Sequence, residues 1–267
     1  MNKRWIALCA LACLGMGSVG AVADSATSSS VVRIATGIEY SSGTYGGTED
    51  INETYVPVSI SLNGGRTSAR LTVPYLSVDG AFVSLTDTGE EITDTVTQGG
   101  LGDVVASLTV YDVLYSDSLG IAVDLTGKAK FGTADPDKGL GTGENDYSAL
   151  ADVYKFFDRV TLMGTLGYKF RGDPAGQDLD DVMLGSVGGL CDCGARTRLG
   201  LFYDYREASL TGSDDVRELT LFASRDLNRA WQLQYFVFTG FTDSGPDWGG
   251  GLQLGVNLPR PQPRDRL

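Results

Sequence analysis

The sequence predicts an all-β protein, a transmembrane, antiparallel, up-and-down β-barrel of about 12 strands. Three observations lead to this prediction. Segments of alternating apolar and polar residues recur along the chain, the connections between them alternate between short and long, and an apolar stretch near the start is typical of an export signal.

Composition excludes several classes of protein. The chain has 267 residues, 42% of them hydrophobic, and no His. A disordered chain would have less apolar surface, and a polytopic helical membrane protein would need several runs of about 20 apolar residues. Without His, the commonest general base and metal ligand is missing. We therefore expect no enzyme, no catalytic residues, no metal site and no cofactor.

The first residues predict a signal peptide. Lys3 and Arg4 precede an apolar run over residues 5–19, and Ala21-Val22-Ala23 is a small-residue cleavage site. We expect residues 1–23 to be removed, which leaves a barrel over residues 24–258; an uncleaved anchor is the alternative. The acidic net charge of −13 argues against a nucleic-acid partner, because the phosphates would repel it.

Period-two alternation identifies the strands. In residues 119–131, for example, Leu125 and Phe131 lie on one face, and Lys128 and Lys130 lie on the other. Most segments have ten or more residues, the length at which a tilted strand crosses a bilayer of about 30 Å. The predicted strands are 31–42, 52–62, 66–78, 102–115, 118–131, 144–156, 159–171, 179–190, 196–207, 215–226, 230–242 and 248–258.

The connections support closure into a membrane barrel. Short turns, such as Asn63-Gly64-Gly65, alternate with longer acidic loops, which we expect at 43–51, 79–101, 132–143, 172–178, 208–214 and 243–247. Outer-membrane barrels place short turns in the periplasm and longer loops outside. Lipid offers no hydrogen-bonding partner, so the sheet must close. A soluble periplasmic β-sandwich, whose apolar faces pack against a second sheet, is the alternative.

Two prolines conflict with a continuous ladder. Pro57 and Pro74 lie within predicted strands, where proline removes a hydrogen-bond donor. Pairing across the turn at residues 63–65 would place them near each other, and we expect one shared bulge to accommodate both.

Three stretches resemble a known family. They are Gly99-Gly100-Leu101-Gly102-Asp103, the sequence around Lys130-Phe131-Gly132 that continues through Gly139 to Asp146, and residues 71–78. Together they resemble the outer-membrane transporter family named after the phenol meta-degradation pathway. The resemblance implies a barrel in the outer membrane of Gram-negative bacteria that passes small hydrophobic or aromatic compounds. The chain departs from outer-membrane barrels at its end, where a Pro/Arg-rich tail at 259–267 replaces the usual terminal aromatic residue; we expect this tail in the periplasm.

Charged residues on the polar faces are the candidate lumen lining. They are Arg33, Glu39, Arg70, Asp124, Lys128, Lys130, Lys169, Arg171, Arg198, Asp204, Arg206 and Glu218. They either set which solutes pass or form a structural network of ion pairs. The basic group Lys128, Lys130, Lys169 and Arg171 favours anionic solutes. Cys191 and Cys193 predict either a turn disulfide or two free thiols.

Three functions remain open from the sequence. The first is passive passage of small solutes through an outer-membrane barrel whose partners are the solutes and the outer-membrane lipids. The second is a structural barrel with an occluded lumen. The third, an outer-membrane enzyme, would have to work without His, and no Ser–Lys motif is present.

Overall fold

The computed structural model describes residues 31–85 and 91–259 and the side chains of 31–80 and 97–258. The predicted signal peptide at 1–23 and all but the first residue of the predicted tail at 259–267 lie outside these ranges. The strands are β1 (Val31–Gly43), β2 (Ile51–Gly64), β3 (Thr67–Leu85), β4 (Glu91–Leu101), β5 (Val104–Ser116), β6 (Ile121–Phe131), β7 (Asp146–Phe156), β8 (Val160–Phe170), β9 (Val182–Gly194), β10 (Thr197–Arg206), β11 (Val216–Asp226), β12 (Trp231–Gly240) and β13 (Trp248–Pro259).

Twelve of these strands close into an antiparallel barrel. The sheet runs β2-β1-β13 and then in descending order to β5 and β3, and the pairing of β2 with β3 closes it. Each of the twelve therefore has a hydrogen-bonded neighbour on both sides, as a sheet surrounded by lipid requires. The prediction of a closed 12-stranded barrel is confirmed. A short 3-10 helix, Pro136–Lys138, interrupts one loop, and no helix within 31–85 or 91–259 is long and apolar enough to cross a membrane.

Strand β4 is the one described strand that is not among these twelve. It pairs with β3 alone, over Tyr75↔Leu101 to Leu85↔Glu91, whereas β5 pairs with β3 over residues 67–72. Strands β4 and β5 thus form one long strand broken at residues 102–103. Residues 80–85 of β3 and 91–96 of β4 extend past the last pair of β2 and β3 as a two-stranded hairpin. The prediction that 79–101 is a loop was wrong for 79–85 and 91–101. β-Branched residues, which favour strands, are frequent in 92–97, whereas the charge in this segment disfavours a strand. Backbone pairing with β3 stabilises the strand despite that charge.

The prediction that Pro57 and Pro74 lie near each other is confirmed, but the predicted bulge is absent. They are direct partners in an unshifted β2–β3 register. Pairing of β1 with β2 lapses between Thr36↔Val58 and Glu39↔Tyr55, beside Pro57. Pro74 lies where β3 changes partner from β5 to β4. Each proline therefore lies where its strand has no paired residue on the edge that faces away from the other proline. The N–H group that proline lacks is not needed there, so no bulge is required.

The outer surface is apolar. Leu166 on β8, Val187 on β9 and Val237 on β12 are 61%, 62% and 58% exposed. A soluble sandwich would bury such a face against a second sheet. Here one closed sheet exposes its apolar outer face all the way around. Exposed aromatic residues near strand ends fit the interfacial girdles of membrane barrels, and Tyr40 and Trp248 on neighbouring strands contact each other at 5.5 Å between ring centres.

Candidate functional site: the barrel interior

The strand register determines which side chains face the barrel interior. Positions that alternate with the exposed apolar residues face inward, and their cross-strand partners face the same way. Eleven of the twelve candidate lining residues occupy inward positions of strands, and Arg171 directly follows β8. The eleven are Arg33, Glu39, Arg70, Asp124, Lys128, Lys130, Lys169, Arg198, Asp204, Arg206 and Glu218. Their function as a selectivity lining stays a prediction.

An ion-pair cluster joins strands β6, β7 and β8 to the break between β4 and β5. Lys130 Nζ on β6 lies 2.9 Å from Asp103 Oδ2 and 3.3 Å from Asp146 Oδ2. Lys169 Nζ on β8 lies 2.9 Å from the same Asp146 oxygen, and the Asp146 side chain is 2% exposed. Two members of the predicted basic group therefore have carboxylate partners, which offset their positive charge.

The loop over residues 132–145 folds inward. Its backbone is attached to the β4–β5 break, because Ala134 N donates to Asp103 Oδ1 at 2.9 Å and Thr133 Oγ1 donates to the Gly102 carbonyl at 3.2 Å. Leu140, which is 1% exposed, packs with Ala134 in a cluster that also contains Tyr55, Leu76 and Val78 of β2 and β3. The loop therefore narrows one side of the interior.

Apolar side chains form an inner belt that was not predicted from the sequence. The belt crosses seven neighbouring strands, from β6 to β12. Its buried members are Ala122, Tyr154, Met163, Leu190, Phe202, Phe222 and Phe236, and the partly buried Phe238 packs against them. The sequence feature that could have predicted the belt is an apolar residue within an otherwise polar face, such as Phe202 between Arg198 and Asp204.

Opposite this belt in the sheet order, β1 and β2 carry two buried carboxyl groups. Glu39 and Glu53 are 8% and 3% exposed. Glu39 was predicted from the sequence as a lining residue, whereas Glu53 was not. Glu53 pairs with Ser41 and Glu39 pairs with Tyr55, so all four face inward.

Metal-binding residues and cysteines are the other groups that could support a chemical function. Within the part of the chain that the structure describes, no three His, Cys, Asp or Glu residues are placed to hold a metal ion. Cys191 and Cys193, at the end of β9, are free thiols whose sulfur atoms are 2.7 Å apart.

Solved outer-membrane barrels share this architecture. The crystal structure of the COG4313 outer membrane channel from Pseudomonas putida F1 matches with a TM-score of 0.67 and 11% identity, over 88% of this chain and 97% of that one. The NanC porin matches with a TM-score of 0.52 and 8% identity, over 85% and 98% of the two chains. The translocator domain of the autotransporter NalP from Neisseria meningitidis matches with a TM-score of 0.51 and 12% identity, over 88% and 90%.

Sequence comparison adds no further relative, because no protein-family model matches the chain and no curated protein is significantly similar to it. At 8–12% identity the solved structures share the fold alone. The closed sheet, its apolar outer face and its charged inward side chains define the chain as a transmembrane β-barrel of the outer-membrane type.

Proposed function

We propose that this protein is an outer-membrane channel through which small solutes pass passively. The observation that supports this function most directly is the contrast between the two faces of the sheet. The outer face is apolar, whereas the inner face bears charged side chains on most strands. Side chains in the lumen of a membrane barrel contact water and solute, whereas those outside contact lipid. The similar structure described as an outer membrane channel supports this function.

The inner belt supports small hydrophobic or aromatic solutes. Phe202, Phe222 and Phe236 face inward together with Tyr154 and Met163. Aromatic rings bind other rings through offset or edge-on contacts, and the thioether of methionine contacts aromatic rings favourably. The family resemblance of the sequence implies the same class of solute.

The route into the membrane is part of the proposal. Residues 1–23 direct export and are cleaved, and the residues after β13 form a periplasmic tail. Amino-terminal sequencing of the protein recovered from outer membranes should begin at Asp24. A sequence that begins at Met1 would contradict the cleavage but not the channel.

Liposome swelling tests the function. Purified protein in vesicles should admit small aromatic acids and small sugars, and swelling should slow as solute size increases. Heat-modifiable migration in gels should first establish that the barrel is folded. Folded protein that admits neither class of solute would contradict the channel and favour the occluded structural barrel. The proposal assigns no catalytic step to the chain.

A further inference from the structure

Two thiol groups meet at the end of β9, outside the lumen. Cys191 pairs with Val160 of β8 and with Leu199 of β10, and both of these partners are exposed on the outer face of the sheet. Cross-strand partners face the same way, so Cys191 faces outward as well. Cys193 lies two residues farther along β9, and its sulfur atom is 2.7 Å from that of Cys191. The two thiols therefore form one group on the outside of the barrel.

A β-bulge frees Cys193 from the strand ladder. Along β9, the register with β10 jumps from Asp192 to Gly194, so Cys193 has no partner in β10. Pairing of β9 with β8 already ends at Cys191. The extra residue of a bulge is unpaired, and its side chain is redirected relative to a regular strand. The sulfur atom of Cys193 can thus approach that of Cys191 without the loss of a ladder pair.

The thiol pair is accessible from water at the short-turn end of the barrel. Cys193 is exposed and Cys191 is half-buried. The turns on either side carry the exposed charged residues Asp158, Arg159 and Arg196. Because charged side chains are costly in hydrocarbon, these residues mark the aqueous side of the membrane surface. The proposed orientation places this end in the periplasm, where disulfides can form and persist.

Stabilisation of the fold does not explain the pair. A disulfide between Cys191 and Cys193 would close a loop of only three residues, and the conformational entropy that a disulfide removes from the unfolded chain is smallest for short loops. Exposed disulfides are also the ones that external thiols reduce readily. The short loop and the exposure therefore favour repeated oxidation and reduction over a permanent cross-link.

We propose that Cys191 and Cys193 form a redox-exchange site, a dithiol that an external disulfide converts reversibly to an intramolecular disulfide. The thiolate of one cysteine attacks a sulfur of the external disulfide, whose S–S bond breaks and releases one thiol. The second cysteine attacks the resulting mixed disulfide and releases the other thiol. The chain loses two electrons and two protons, and the external disulfide gains them as two thiols. Because the site lies outside the lumen, it does not depend on the proposed channel.

Glutathione buffers test the exchange. Full-length protein, shown to be folded in vesicles by heat-modifiable migration, is equilibrated with reduced or oxidised glutathione, alkylated and cleaved with trypsin. Cleavage after Arg171 and Arg196 gives the peptide 172–196, which contains Cys191 and Cys193 and no other cysteine. We expect a doubly alkylated peptide from the reduced buffer. The oxidised buffer should give an unalkylated peptide that is lighter by two hydrogen atoms, and an excess of reduced glutathione should reverse this change.

A single-cysteine variant tests the second step. Cys193→Ser has no second thiol to displace glutathione, so it should accumulate the mixed disulfide on Cys191 to about tenfold the level in the wild type. The matched control Asp192→Cys/Cys193→Ser keeps two thiols in the same peptide. Neighbouring side chains of a strand point to opposite faces, so this control should carry glutathione and form no internal disulfide.

Three results would overturn the redox-exchange site. The first is full alkylation of the wild-type peptide after treatment with oxidised glutathione. The second is a mixed disulfide as abundant in the wild type as in Cys193→Ser. The third is a disulfide that joins two copies of the chain in place of the internal one. Each of these results would leave the channel function intact, because liposome swelling measures that function separately.

Discussion

Lys130 on β6 donates a hydrogen bond to Asp103 at 2.9 Å, and Asp103 lies in the two-residue break between β4 and β5. The same carboxylate accepts the Ala134 amide of the inward loop. One side chain thus connects the barrel wall, the base of the projecting hairpin and the loop that narrows the interior. A carboxylate that accepts hydrogen bonds from two different structural elements fixes the position of one relative to the other.

Loss of this connection should release the loop. Asp103→Ala removes both contacts, and we expect it to lower the free energy of unfolding by roughly 1–3 kcal/mol, the range for charged hydrogen bonds. Residues 132–145 should be cleaved faster by protease, and single-channel conductance should rise. Lys138→Ala is the control, because Lys138 makes only a 3.9 Å ion pair at the exposed surface. Equal protection of the loop in both variants would show that Asp103 does not hold it.

Truncation of the inner belt should widen the path. Phe222 is 2% exposed, and Phe222→Ala should destabilise the barrel by about 3–5 kcal/mol because it leaves a cavity among packed rings. The same cavity should increase the rate of liposome swelling with aromatic acids. Leu221→Ala, at the adjacent outward position, is the control and should leave that rate unchanged. Unchanged swelling in both variants would remove the belt from the solute path.

A charge at the middle of the outer face should be costly. Leu166 lies near the centre of β8 and faces outward. Leu166→Arg should lower the stability of the barrel in lipid vesicles by about 2–4 kcal/mol, the cost of a basic side chain at the bilayer midplane. Urea titration followed by gel migration measures the change, and Leu166→Met should resemble the wild type. An arginine variant as stable as the wild type would contradict the membrane orientation of the sheet.

Acid should loosen the loop over residues 207–215. The backbone N–H of Ala208, together with the Tyr205 hydroxyl, holds the pKa of Asp215 below its usual value. A depressed folded pKa means that the carboxylate stabilises the loop above the ordinary Asp pKa of about 3.9, and that this contribution is lost as pH falls below it through the folded pKa. Protease cleavage of the loop should therefore accelerate in that acid range.

Asp215→Asn is the corresponding control. Its cleavage rate should no longer change through the same pH range, because the side chain does not titrate. Asp214→Asn, at the preceding loop position, should retain the wild-type profile. A flat profile in the wild type would show that Asp215 contributes nothing to the order of this loop.

Sequence periodicity was sufficient for the barrel strands and their inward faces. Every predicted strand end lies within four residues of the observed one, except the end of the third strand, where β3 continues to Leu85. A period-two pattern is a local property of each strand. Every strand of the wall needs one, because alternate side chains face lipid and lumen. The β3–β4 hairpin was not predicted, because residues 80–85 and 91–96 extend past the last pair of β2 and β3, where no apolar stripe toward lipid is required.

The sequence by itself determined the number of barrel strands, the lipid-facing residues and the acidic long-loop end. Only the tertiary structure decided which lumen charges are neutralised, that Phe202, Phe222 and Phe236 meet in one belt, and that Glu53 stands beside Glu39. The physical reason is that alternation is set by neighbours along the chain, whereas charge pairing and side-chain contact depend on the register between strands and on how a loop folds inward. Neither the register around the barrel nor the path of a loop is encoded in a local pattern.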